Sequence, residues 1–366
     1  MNKIVIDARE LNATGTGTYL KHLLDQLQKL DTTNSYKILL KPQDIDSWKP
    51  TNRRFSKIVC PYKEFTFGEQ LGLFKLLRSL QSDLVHFAMV QQPLLYRGKV
   101  VTTMHDLTTA RFRNPSKNWL IFTIKQFVYK LVNRIVAHKS AALIADSEYI
   151  KEDVAKFARI NSRKITVIPL AADKLTVEPE PVEDLLNRQF IMYVGRPQPH
   201  KNLDRLVQAF GSLRQVNPGL RLVLVGKRDT LYKQLAKRTT ERGITGVIFT
   251  GFVSDSRLRW LYEHTAAYVF PSLSEGFGLP GLEAMVHGAP LISSNATCLP
   301  EVYQDAAEYF DPTDTEQIAT AIQKVLDSEE VRKKLIKRGV IVAQKYSWQR
   351  LAEQTLAVYT TVLEEN

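Results

Sequence analysis

Short apolar, β-branched runs alternate with longer amphipathic stretches from one end of the chain to the other. This alternation restricts the fold more than any other feature. Strand–helix–strand order calls for parallel sheets with crossover helices. A first series of strand-like runs lies at residues 3–7, 36–40, 57–60, 83–87, 99–104, 142–145 and 164–168. A second lies at 190–194, 221–225, 247–249, 267–270, 290–292 and 308–310. Helical periodicity falls between them at 17–30, 67–80, 203–215 and 281–287. The expectation is an α/β protein with two doubly wound Rossmann-like domains. In open parallel sheets ligands bind beyond the carboxyl ends of the strands, so functional residues should follow strands directly.

The chain has 366 residues, more than one hydrophobic core comfortably holds, which favours two domains. The series breaks between residues 169 and 188, where prolines and charges around Glu178–Pro181 suit an interdomain linker. The domains are therefore expected at 1–171 and 172–347, with a last helix over 348–366. Apolar residues make up 44% and charged residues 24%, which excludes a disordered or collagen-like chain. No apolar run is long enough for a membrane span. The amino terminus reads as a strand rather than a signal peptide. Cys60 and Cys298 are far apart and without metal spacing, so a reduced, cytoplasmic chain is expected. The net charge of +12 is uneven, with +13 on residues 1–171 and −1 on 172–366. That imbalance points to an anionic partner for the first half or to a solubilising surface.

The most informative stretch is 271–285, a glycine-rich turn between a strand and a helix. Pro280 suits a helix start, because its missing N–H would be unpaired there anyway. The amides of Phe277, Gly278 and Leu279 should then face outward and favour anions or oxygen-rich ligands. Glu283 is expected in the first turn of that helix and Glu275 in the loop before it. Two carboxylates beside a ring of donors suit a sugar nucleotide. Arg196 and Lys201 follow the strand at 190–194 and match a diphosphate: arginine grips two oxygens, and lysine supplies a point charge. After the strand at 247–249, Phe252 and Val253 offer an apolar edge for a nucleobase, with Asp255 reading its polar edge. The competing reading is a loop capped by Ser254 or Asp255.

In the first half, Gly15 and Gly17 open a helix after the first strand. Leu20 stands where a dinucleotide fingerprint needs its third glycine, so a nicotinamide site is disfavoured. His105 and Asp106 end the strand at 99–104, where a histidine donates a hydrogen bond or handles a proton. From Leu107 to Ala145 no acidic residue occurs, while seven basic ones do: Arg111, Arg113, Lys117, Lys125, Lys130, Arg134 and Lys139. They interleave with Phe112, Trp119, Phe122, Phe127 and Tyr129. Residues 117–139 read as a basic amphipathic helix lying on anionic lipid, or equally as a helix with its apolar face on the core and its basic face in water. Asp44 and Asp46 read as a solvated turn, with no metal implied.

Taken together, these residues resemble the glycosyltransferase family 4 proteins. Glu275 and Glu283 match that family's paired glutamates, and Gly195, Arg196, Lys201 and Asn202 its diphosphate motif. The stretch 299–302 matches a further family segment, and Gly15, Gly17 and His105 the amino-terminal glycine loop and active-site histidine. The resemblance implies a GT-B fold, two domains facing across a central cleft, with the last helix crossing back to the first. It implies retaining transfer of a hexose from a nucleotide-diphosphate sugar, with no resident cofactor and no metal. Arg196 and Lys201 would neutralise the leaving diphosphate. Glu283 would hold the ribose, Glu275 with the amides of Phe277 and Gly278 would position the sugar, and His105 would orient it. Residues 6–17, His86 and 103–106 most resemble mannosyltransferases of bacterial surface polysaccharide or glycolipid assembly. GDP-mannose is the favoured donor, UDP-sugars the alternative, and the acceptor a glycan or a lipid-linked glycan. Residues 111–139 offer a peripheral contact with the inner face of a membrane. Rival readings are a nucleotide-sugar epimerase on the same fold and a non-catalytic nucleotide- or carbohydrate-binding protein. Nucleic-acid binding is not expected, because no recognisable module is present.

Overall fold

The computed structural model describes residues 1–112 and 119–365. Among them are thirteen strands in two all-parallel sheets. The chain divides into two compact units. One comprises Met1–Arg111, Trp119–Leu170 and the chain from Ser347 onward, and the other centres on Ala171–Tyr346.

The first unit holds β1 (Lys3–Asp7), β2 (Ser35–Leu40), β3 (Phe55–Val59), β4 (Leu84–Phe87), β5 (Val100–Thr103), β6 (Ala142–Ala145) and β7 (Ile165–Val167). Their order in the sheet is β3-β2-β1-β4-β5-β6-β7, so the chain runs outward from β1 to one edge and then returns to build the other side. Ile6 of β1 stands opposite Ile38 and His86. Strands β4 and β5 are buried at every position, as a sheet covered on both faces requires. On one face Val5, Leu39, Val85 and Phe87 pack with Leu73 and Leu77. The latter pair belongs to a π-helical turn, Glu69–Leu73, and the α-helix that continues it, Phe74–Leu80. The carboxy-terminal helix Trp348–Glu364 lies against Thr16–Leu30, with Trp348 stacked on His22. Tyr359 of that helix hydrogen-bonds His86 Nδ1.

The second unit holds β8 (Phe190–Val194), β9 (Arg221–Val225), β10 (Val247–Gly251), β11 (Ala267–Phe270), β12 (Leu291–Ser294) and β13 (Ala307–Phe310), in the order β10-β9-β8-β11-β12-β13. Residues 171–189 are no free tether. Leu175 N–H donates to His287, and Lys174 and Glu180 pair with Glu263 and Arg257.

The basic segment forms the helix Trp119–Lys139. Arg113, Lys117 and the side chains of Trp119 and Phe122 lie outside the described residues. The helix buries Asn133, Val136 and Ala137, but its outward face is not simply basic: Ile124, Phe127, Val128, Leu131 and Ile135 are exposed at helical spacing. The helix thus covers the core with Tyr129, Val136 and Ala137, while a second apolar stripe meets solvent beside the exposed Lys125 and Arg134. Asp44 is bound by the Asn12 amide and Asp46 is exposed near Lys57, as a solvated turn requires.

Candidate active site

Two loops at the carboxyl edge of the second sheet are stitched together. Leu273 N–H donates to His200 O at 2.7 Å, and the Asn202 amide donates to Pro271 O and Pro312 O. This brings Lys201, beyond β8, to Glu275, beyond β11. The Lys201 ammonium donates to both carboxylate oxygens of Glu275, at 2.7 and 2.9 Å, and lies over the Phe270 ring. Both groups are largely screened from water, so their pairing is stronger than a surface ion pair. The Glu275 main chain is fixed as well: its N–H donates to Thr297 Oγ1, and its carbonyl accepts from Cys298 Sγ.

Arg196 stands apart from that pair. Its guanidinium grips Asp229 Oδ2 through Nη2 at 2.9 Å and remains half exposed. Asp229 also accepts from the N–H groups of Leu231 and Tyr232, capping the helix Thr230–Glu241. Although partial burial opposes its charge, these bonds hold its carboxyl below the ordinary range.

The glycine-rich turn caps a helix, Leu279–Val286, from Gly278 in a left-handed conformation (φ 92°). A Cβ at Gly278 or at Gly281 would stand 2.3 Å from the Tyr303 hydroxyl, which donates to the Gly278 carbonyl. Among the described residues, no protein acceptor is found for the N–H groups of Phe277 and Gly278. Glu283 corrects an expectation. It lies in the second turn, not the first, because the left-handed glycine starts the helix ahead of Pro280. Burial raises its pKa, offset in part by the hydrogen bond from the Tyr262 hydroxyl.

Beyond β10, Phe252 is 87% exposed and Val253 partly so. Ser254, not Asp255, caps the following helix Asp255–His264, which leaves the Asp255 carboxylate in water.

In the first unit Gly15 caps the helix Thr16–Leu30 and Gly17 lies in its first turn. Tyr19, one turn on, meets the His105 ring edge to face, with centroids 5.0 Å apart. His105 Nδ1 bonds Asp146 Oδ2 at 2.8 Å, and Asp146 is only 3% exposed. Burial opposes the imidazolium, but the charge and hydrogen bond of Asp146, helped by Asp106, outweigh it and raise the His105 pKa. Burial likewise raises that of Asp146, with His105 pulling it back. Behind the pair, Thr103 Oγ1 joins Tyr19 and His86. Burial, with the charge of His105, pushes His86 down to about 3, so this second histidine is neutral.

Asp146, Asp229, Thr297 and Tyr303 escaped the sequence reading. Asp146 and Asp229 both lie just beyond strands, so the rule that selects His105 would have found them. Thr297 and Tyr303 carry no sequence signal for their roles. No group of three or more His, Cys, Asp or Glu side chains suited to a metal ion occurs among the described residues.

Comparison with known proteins bears on what this arrangement serves. Residues 178–342 match the family described as "Glycosyl transferases group 1", and residues 13–174 match "Glycosyltransferase Family 4". The O-antigen chain mannosyltransferase B of Escherichia coli is 31% identical over 280 residues, covering 71% of this chain and 70% of that one. The serotype-specific mannosyltransferase WbdA of Escherichia coli is 28% identical over 249 residues; the match spans 64% of this chain but only 31% of that longer protein. Sucrose-phosphate synthase from Thermosynechococcus elongatus superimposes with a TM-score of 0.79 at 19% identity, over 100% of both chains. Anabaena Alr3699/HepE in complex with UDP-glucose does so with a TM-score of 0.75 at 16% identity, over 99% of this chain and 100% of that one. The fold is thus the two-domain fold of glycosyltransferases, and the chain belongs to the group 1, family 4 glycosyltransferases.

Proposed function

We propose that this glycosyltransferase moves a mannosyl residue from GDP-mannose, with retention, to a glycan or lipid-linked glycan of a bacterial surface polysaccharide. The observation that carries the reading is the half-buried Lys201–Glu275 pair three residues ahead of the Gly278 helix start, in a chain 31% identical to an O-antigen mannosyltransferase. Lys201 and Arg196 neutralise the charge that grows on the departing diphosphate, the electrostatic contribution that usually dominates such steps. Donor binding draws Arg196 from Asp229 and gives Lys201 a second anion to share. Glu275 and the amides of Phe277 and Gly278 hold the sugar hydroxyls, and Glu283 holds the ribose. Phe252 and Val253 supply an apolar edge for guanine, with Asp255 at its polar edge. Gly15, with open space where a side chain would stand, leaves room for donor oxygens at a helix start, and Gly17 lets the Leu11 main chain pack close behind it. His105 orients the sugar. The acceptor hydroxyl attacks the face from which the diphosphate leaves, so no enzyme nucleophile, resident cofactor or metal takes part. The exposed basic residues of 111–139, Lys125 and Arg134 among them, hold the protein at an anionic membrane surface, where a lipid-linked acceptor would be found, while Arg111 is paired with Asp153 and Lys139 with the Pro93 carbonyl. No helix among the described residues is long and apolar enough to cross a membrane.

Thermal unfolding with GDP, GDP-mannose, UDP and UDP-glucose tests the donor. Ligands of the folded state raise the midpoint. GDP and GDP-mannose should do so, and Arg196→Ala should abolish the shift. A shift with uridine ligands alone would overturn the guanine assignment. Proton NMR of the product's anomeric centre reads the stereochemical outcome directly.

A further inference from the structure

Among the described residues, seven that are not glycine have a backbone in the left-handed region, and Thr297 (φ 54°) is the one of them that is β-branched. For such a side chain this conformation is a genuine outlier. It persists only where the surroundings hold it, and residues of this kind gather at functional sites. Thr297 lies just beyond β12, and its Oγ1 accepts from the Glu275 N–H at 3.1 Å. The next residue, Cys298, donates through Sγ to the Glu275 carbonyl. Two consecutive side chains thus hold both polar groups of one residue's main chain.

The same segment ties the glycine-rich turn at two further points. The Ser294 hydroxyl donates to Ser272 O at 2.6 Å, and the Tyr303 hydroxyl donates to Gly278 O. The helix Leu299–Tyr303 also packs on the turn, since a Cβ at Gly278 would meet Leu299 as well as Tyr303. Leu273 is anchored separately, through His200 O. The flanks of the turn are therefore fixed without Thr297. Between them, Thr297 and Cys298 set the Glu275 main chain, and because a thiol is a weak donor the Thr297 hydroxyl carries most of that constraint.

We propose that Thr297 is a positioning residue for the donor's sugar. Its hydroxyl, aimed by a strained backbone, sets the Glu275 peptide and with it the carboxylate that meets the sugar. This rests on the reading that Glu275 holds the sugar and goes beyond it: affinity for the sugar depends on a residue that never touches it. Affinity for the nucleotide does not, because Arg196 is held by Asp229, outside this chain of bonds.

The intact parent and the variants Thr297→Val, Thr297→Gly and Thr297→Ser are titrated calorimetrically with GDP and GDP-mannose, and with UDP and UDP-glucose. Their melting temperatures without ligand are measured alongside. Thr297→Val keeps the shape but loses the acceptor, Thr297→Gly loses the acceptor and relieves the backbone, and Thr297→Ser keeps the acceptor. Affinity for the sugar nucleotide should fall several-fold in Thr297→Val and Thr297→Gly and stay near the parent's in Thr297→Ser. Affinity for the nucleotide alone should be unchanged in all three. Thr297→Gly should nonetheless melt above Thr297→Val, since only the glycine removes the strain. Sugar affinity then follows the hydroxyl while stability follows the backbone, a split that a merely structural role does not give. Parent-like sugar affinity in Thr297→Val, or losses that track the melting temperature through all three variants, would overturn the proposal and leave the donor site standing. A parent that binds neither pair of ligands would overturn the donor-site reading and this inference with it.

Discussion

His105 and Asp146 bind protons more readily in the folded chain than apart, and this fixes the sign of a pH effect. Burial resists charge on the imidazole, yet Asp146 and Asp106 raise its pKa above the ordinary 6.5, while the buried carboxyl of Asp146 also titrates high. The other groups facing His105 are the neutral His86 and the Tyr19 phenol, whose pKa burial raises. The folded state therefore carries more protons here than the unfolded one. The contribution of His105 is complete below the unfolded histidine value and fades as pH rises through its raised folded value, whereas that of Asp146 is complete only below the unfolded carboxyl value. Urea unfolding of the parent across about pH 5 to 8 should show this fall, and Asp146→Asn should flatten it. An unchanged slope in the variant would mean that the proton sits elsewhere. His105 was legible because it follows an apolar strand directly. Asp146 obeys the same rule but precedes Ser147, which caps the next helix, so in sequence the two read as a helix start.

Elements were legible where burial dictates composition. Strands covered on both faces must be continuously apolar, and the runs at β1, β8, β9, β6 and β11 fall where the sequence expects them. The π-helical turn Glu69–Leu73 was not legible, because its side-chain spacing resembles that of an ordinary helix. The register of Glu283 was missed for a related reason: proline announces a helix start, but a left-handed glycine decides it. Tyr303 sets the tolerance of this element. Gly281 has an ordinary backbone, so only the Tyr303 ring, 2.3–2.8 Å from a Cβ, forbids a side chain there. Gly281→Ala should cost about 1–3 kcal/mol by overpacking. Tyr303→Leu removes the obstructing ring, so the double variant should be less destabilised than the two single changes together, by roughly 1 kcal/mol. Strict additivity in urea titrations would show that the helix shifts instead of clashing.

At the scale of the whole molecule, the chain crosses from one unit to the other and then returns. The last helix begins at Ser347, which caps it, and completes the core of the first unit rather than that of the second, from which it follows in sequence. Trp348 stacks on His22, Leu351 and Ala352 are buried, and the Tyr359 hydroxyl is the partner of His86 Nδ1. Removing residues 347–366 would uncover the helix Thr16–Leu30 and leave a buried imidazole nitrogen unsatisfied, each a recognised source of large destabilisation. The residues proposed to bind the nucleotide's diphosphate and sugar, Arg196, Lys201, Glu275 and Glu283, all lie in the second unit. Calorimetry should therefore separate the two effects. The truncated chain should lose the transition of the first unit yet keep that of the second, and GDP should still raise the surviving midpoint. If truncation abolished both transitions together, the units would depend on each other for folding. If the surviving transition no longer responded to GDP, the donor would need groups from the first unit to bind at all, and His105 with the Gly15 helix start would be the first to test.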